Sequence, residues 1–149
     1  QDFVAMSERE GHVLQQLITQ RSDLIALECD KVKVRMPTIL AHYRQRLLSR
    51  LQEVKAELDN ERLEQEIVLF AHKIDVAEEL DRLSAHLLEI RRVLQQGGAV
   101  GRKLDFLMQE LNREANTLGS KSVSADSSLS SVELKVLIEQ MREQIQNLE

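Results

Sequence analysis

Apolar residues recur at threes and fours along most of the chain, the spacing of one helical face. In residues 7–36 the series Val13, Leu14, Leu17, Ile18, Leu24, Ile25, Leu27 and Val32 predicts a long helix. Ser7, with Glu10 three residues on, resembles a capping box at its start. Pro37 predicts its end, because the residue before a proline resists the α conformation. Thr38 then caps a second helix, which carries Leu40, Leu47, Leu48, Leu51 and Val54 to about residue 58. Two long helices around a proline turn make a helical hairpin. It has more apolar spacing than two helices bury between themselves, so it is expected to pack on the rest of the protein or on another subunit.

Shorter helices follow. Asp59 and Asn60 open the third, with Leu63, Ile67, Phe70 and Ala71 as its stripe. Asp75, with Glu78 three residues later, reads as the N-cap of the fourth, which buries Leu80, Leu83, Leu87, Ile90 and Leu94. Gly97-Gly98 breaks it. The next helix runs from about 100 to 118, with Leu104, Leu107, Met108, Leu111, Ala115 and Leu118 on one face and Gly119 at the C′ position. Residues 120–131 are Ser-rich and read as a loop. A last helix from about 131 repeats Leu134, Leu137, Ile138, Met141, Ile145 and Leu148. The pattern predicts an all-α fold: a long helical hairpin over 1–58, then a bundle of about four shorter helices over 59–149. Residues 1–6 read as a connection.

Composition sharpens this. Aromatic residues are only 3% of 149, and proline occurs once, which favours helices over strands. The single cysteine, Cys29, excludes an internal disulfide and a zinc site built from cysteines, and reads as a small buried residue. No hydrophobic run reaches membrane-spanning length, and a reducing cytoplasm is the default. The net charge of −5 has the wrong sign for non-specific coating of nucleic acid. Yet Lys31, Lys33, Arg35, Arg44, Arg46 and Arg50 form a block with no acid among them. Such a block is either a solvated helix end or a track for backbone phosphates.

The polar residues of 101–122 stand out. At 100° per residue Arg102, Asp105, Gln109, Asn112, Arg113 and Asn116 share a second face, with Glu110, Glu114 and Thr117 on the flank. Lys and Glu usually solubilise such a face. Here amides supply paired donors and acceptors, and arginines supply forks for phosphate or carboxylate. The face is either a recognition surface or a polar seam between helices. Phe106 lies opposite the core stripe, which suits an interface. On the preceding helix Glu79 and His86, seven apart, project together beside Arg82. That pair is structural, or His86 is a metal ligand or proton shuttle. No phosphate loop, zinc spacing or nucleophile elbow is present. What remains is oxygen-rich: Asp105, Glu110 and Glu114 as candidate catalytic groups with His86, and Glu79, His86, Glu110 and Glu114 as candidate ligands of Mn²⁺ or Mg²⁺. Asp105 and Glu110 lie well apart around the helix, whereas Glu110 and Glu114 can share a site. Candidate RNA contacts are Arg102, Gln109, Asn112, Arg113, Asn116 and Lys121, with Arg44 and Arg46 from the basic block.

The stretch GRKLDFLMQELNREANTLGSKS (101–122) resembles the signature of the YicC/YloC-like bacterial endoribonucleases. QRSDL (20–24), DVAEELDRLSAH (75–86), VELK (132–135) and IEQMREQIQNLE (138–149) resemble other parts of that family. The resemblance implies an RNA endonuclease helped by a divalent metal, assembled as a homo-oligomer, a hexamer, that encloses RNA. It also implies an N-terminal domain of comparable size, so the chain, starting at Gln1, is expected to be the C-terminal half of a larger protein. The rival reading is a non-catalytic helical module for assembly. Hydrolysis by a metal-activated water is expected over attack by the RNA's own 2′-hydroxyl, because carboxylates are plentiful and a histidine pair is not.

Overall fold

The computed structural model describes residues 8–53 and 59–147. Among these there are five α-helices and no strand: α1 Glu8–Glu53, α2 Asn60–Ile74, α3 Ala77–Gln96, α4 Gly101–Ser120 and α5 Ala125–Gln146. The all-α expectation holds, as do the four shorter helices. Ser7, Val54 and Leu148, and the expected helix end near residue 58, lie outside the described residues.

The proline hairpin is corrected. Pro37 lies inside α1, which runs unbroken for 46 residues. Its ring removes one N–H from the helix ladder, and the acceptor it would have served belongs to Lys33. Pro37 and Lys33 are exposed, on a side of the helix where water can reach the backbone. Around the proline, Met36 and Leu40 share a hollow of about 450 Å³ with Ala71, Val76, Ala77 and Leu80. Packing along this side keeps the chain helical where local preference alone would end it. The two-helix arm exists, but the second half of α1 and α2 build it. They run antiparallel: Tyr43 stacks on Phe70 with ring centroids 3.7 Å apart, and Arg44 pairs with Glu64.

The first half of α1 belongs to the core. Leu14, Ile18, Ile25 and Val32 are buried with Leu83 and Ile90 of α3, Leu104, Met108 and Leu111 of α4, and Leu134, Ile138 and Met141 of α5. All six residues expected on the α4 core face are buried. Gly97 and Gly98 take φ of 68° and 77°, which glycine alone adopts without strain, and so end α3 as expected. Asp59 caps α2, its carboxylate accepting from the N–H groups of Glu61 and Arg62. Asp75 Oδ1 accepts from the Ala77 N–H at 2.9 Å, although Val76 occupies the cap position of α3.

Two further expectations change at the α4–α5 junction. Gly119 is not a left-handed cap; it lies inside α4, and Lys121 is the C-cap with φ −90°. The glycine is there because a Cβ would meet Ser131 Oγ at 2.5 Å. The Ser-rich stretch is a loop only over residues 121–124, and α5 begins at Ala125, six residues before its expected start. Ser124 caps α5 by accepting from the Ser127 N–H, and Ser127, Ser130 and Ser131 are buried in its first turns. Small side chains let α5 approach α1 and α4 closely. Their hydroxyls are satisfied across the contact: Ser131 donates to the Ala115 carbonyl at 3.1 Å, and Ser130 to Glu28 Oε1 at 2.7 Å. Gly119→Ala is expected to cost about 1–3 kcal/mol by overpacking. Combining it with Ser131→Ala removes the Oγ, so urea denaturation of the single and double variants should show a favourable coupling of about 1 kcal/mol. Additive losses would show that the serine is not what excludes a side chain.

Candidate nucleic-acid interface

The α3–α4 pair carries the residues singled out by sequence. The helices are antiparallel and share reciprocal ion pairs. Glu79 of α3 is 2% exposed, and its Oε2 accepts from Lys121 Nζ of α4 at 2.9 Å. Glu114 of α4 is 4% exposed, and its Oε1 accepts from Arg82 Nε of α3 at 3.0 Å. Each helix thus contributes one buried acid and one base that reaches in from the rim. Lys121 Nζ also donates to the Asp75 carbonyl at 3.0 Å, and Arg82 also donates to Glu78. Hydrogen bonds to Glu114 first, then to Glu78, push the Arg82 guanidinium above its ordinary range, so it stays charged. The Glu78–Arg82 spacing of four is visible in the sequence, but the reach of Arg82 to Glu114 across the helix pair is not.

Glu79 therefore pairs with Lys121 and not with His86. One oxygen of Glu79 and the Nε2 of His86 are buried without a hydrogen-bond partner. Lys121 is spent on Glu79 and Asp75 and does not extend into solvent as a free phosphate ligand. Glu110 is half-buried, 4.0 Å from Arg113. Asp105, on another side of α4, accepts from Gln109 at 3.3 Å. Among the described residues no three His, Cys, Asp or Glu side chains converge as metal ligands. The four candidate ligands Glu79, His86, Glu110 and Glu114 thus do not fit a metal by themselves. Two of them, Glu79 and Glu114, are already neutralised by bases.

The amide-rich face is a surface. Arg102, Gln109, Asn112, Arg113 and Asn116 are all exposed. The side chains of Asn112 and Asn116 make no hydrogen bond among the described residues, so the fold uses neither side-chain amide. Thr117 is satisfied within the helix by the Arg113 carbonyl. In the basic block, Lys31 pairs with Glu28, Arg35 donates to Ser130 and the Asp126 carbonyl, and Arg44 pairs with Glu64. Arg46 and Arg50, further along the arm, are exposed and in no ion pair among the described residues. Sequence reasoning missed the Glu28–Ser130–Arg35 link between α1 and α5; a buried serine in a helix leaves no periodic signal.

The described residues thus form an all-α domain with a core of its own and an exposed face of amides and guanidiniums on α4. The chain belongs to the YicC-like endoribonuclease family: the model described as "Endoribonuclease YicC-like, C-terminal" matches residues 32–149. It is 62% identical over 148 residues to a probable endoribonuclease YicC of Haemophilus influenzae, covering 99% of this chain and 52% of that protein. It is 35% identical over 147 residues to a probable endoribonuclease YicC of Clostridioides difficile, covering 97% of this chain and 50% of that protein. The chain spans about half the length of these curated relatives. No described helix is long and apolar enough to cross a membrane.

Proposed function

We propose that this chain is the C-terminal half of an RNA endonuclease, and that the exposed face of α4 binds the RNA. The observation that supports this reading most is the unspent pair Asn112 and Asn116, flanked by Arg113, on the surface of a domain from an endoribonuclease family. Arginine forks suit phosphates, and amides suit the edges of unpaired bases, which RNA presents in loops and single strands. The net charge of −5 makes local placement of the bases, not bulk attraction, the source of affinity. In the full-length protein Asn112→Ala, Arg113→Ala and Asn116→Ala together are expected to weaken RNA binding roughly 10- to 100-fold, at about 1 kcal/mol for each hydrogen-bonding group removed. Helicity should stay unchanged, because none of the three holds the fold. Unchanged affinity by fluorescence anisotropy at low salt would remove this face from the binding surface.

Metal-assisted hydrolysis is proposed for the full-length protein only, because the ligand set is incomplete among the described residues. Any divalent cation would need oxygen ligands from elsewhere in the assembly. The expected products are 5′-phosphate and 3′-hydroxyl ends, with cleavage abolished by chelator and restored by Mn²⁺ or Mg²⁺. Cyclic 2′,3′-phosphate ends that survive chelator would overturn the metal and turn attention to His86. A second reading, a non-catalytic assembly module, draws on the apolar residues left exposed on α1 and α5. Full-length protein that binds RNA but never cuts it would favour that reading.

A further inference from the structure

α1 carries apolar residues on two faces, and the bundle covers only one. At 100° per residue Val13, Leu24, Leu27 and Val34 fall within roughly 80° of one another, centred about 135° around the helix from the buried stripe of Leu14, Ile18, Ile25 and Val32. On α5, Leu129, Val132 and Val136 are likewise exposed, on the side turned away from its buried face. Leu24, Leu27 and Val34 of α1 and Leu129 and Val132 of α5 line an open groove of about 880 Å³ between the helices. Exposure is high: Leu27 58%, Val34 76%, Leu129 65% and Val132 56%. Scattered apolar residues on a surface need no explanation, but two parallel stripes at helical spacing mark a docking surface.

The rim specifies the occupant's charge. Lys31 and Arg35, the groove's two bases, are engaged by Glu28 and by Ser130 with the Asp126 carbonyl. Asp30, Asp126 and Glu133 line the same groove and form no ion pair among the described residues. An occupant with an apolar face and basic flanks fits both features. Its source follows from length. The matching family model is a C-terminal one, and the chain spans 52% and 50% of its relatives, so the rest of such a protein precedes this domain. The groove's α1 wall, from Leu24 to Arg35, lies in the N-terminal two-thirds of that helix.

We propose that the α1–α5 groove seats an amphipathic, basic-flanked segment of the polypeptide half that precedes this domain. Tethering gives such a segment an effective concentration in the millimolar range, so a modest groove is enough to hold it.

Thiol labelling tests this. Burial pushes the native Cys29 thiol up to about 12, so it stays protonated and slow to react at neutral pH. Leu27→Cys and Leu129→Cys then report the groove, and Val68→Cys on exposed α2 is the control. Maleimide labelling at the two groove sites is expected to be at least tenfold slower in full-length protein than in the 149-residue chain, with the control unchanged. Hydrogen exchange of residues 20–34 in the two unsubstituted proteins should show the same protection, independent of any variant's folding. Cross-links from Lys31 in full-length protein should reach the preceding half. Equal labelling rates in both proteins would overturn the proposal. So would slow labelling in both that recovers on dilution, or Lys31 cross-links running only to other copies of this domain, since either would make a second copy the occupant.

Discussion

Lys121→Ala is expected to cost the fold about 3–5 kcal/mol, and Arg82→Ala to destabilise it in the same direction, whereas Glu114→Gln should cost only about 1 kcal/mol. The asymmetry comes from where each partner sits. The carboxylates of Glu79 and Glu114 are buried, while the Lys121 and Arg82 side chains are 33% and 44% exposed. Deleting a base strands a charge in a site that cannot hydrate it. Deleting the charge of Glu114 leaves Arg82 in contact with water and still bonded to Glu78. Domains of this size are stable by only about 5–15 kcal/mol, so the base deletions should move a urea midpoint far. Glu79→Leu added to Lys121→Met should recover most of the loss, because both charges then leave together. Equal costs for removing acid and base would show that burial of the carboxylates does not set the energetics. A Glu114→Gln protein that stays folded but stops cutting RNA would give this residue a chemical role beyond its ion pair.

Pro37→Ala is expected to stabilise the protein by about 1–3 kcal/mol. Alanine restores the N–H that the helix lacks, and it relieves the contact between the ring and the preceding turn. Pro37 is exposed, so little packing is lost. The check is the urea midpoint of the variant against the parent. A lower midpoint would mean that the ring's contacts in the hollow with Met36, Leu40 and Leu80 outweigh the missing hydrogen bond.

That residue also marks the limit of the sequence. Periodicity located every helix of the bundle and the full core face of α4, because burial imposes the same spacing wherever it acts. The local preferences of Pro37, Gly119 and the serines of α5 are for a turn, a cap and a loop. In each case a tertiary contact prevails: the hollow beside α2 and α3, the Ser131 hydroxyl against Gly119, and the hydroxyl bonds from α5 to α1 and α4. The candidate site divides in the same way. Helical geometry set Asn112, Arg113 and Asn116 on one face, and the structure leaves that face open. It could not reveal that Lys121 and Arg82 cross to the neighbouring helix, because the pairing of α3 with α4 is not written in either helix alone.

The length of α1 has a mechanical consequence. At 1.5 Å per residue its 46 residues make a rod of about 69 Å. The half up to Val32 is clamped in the core, and Arg35 pins it to α5 just beyond. From that pin to Glu53 the rod extends about 27 Å, with α2 alongside as a brace. A tilt of about 10° at the pin therefore sweeps the far end through about 5 Å. Arg46 and Arg50 ride about 17 and 23 Å beyond the pin, so the same tilt would carry them through about 3 and 4 Å.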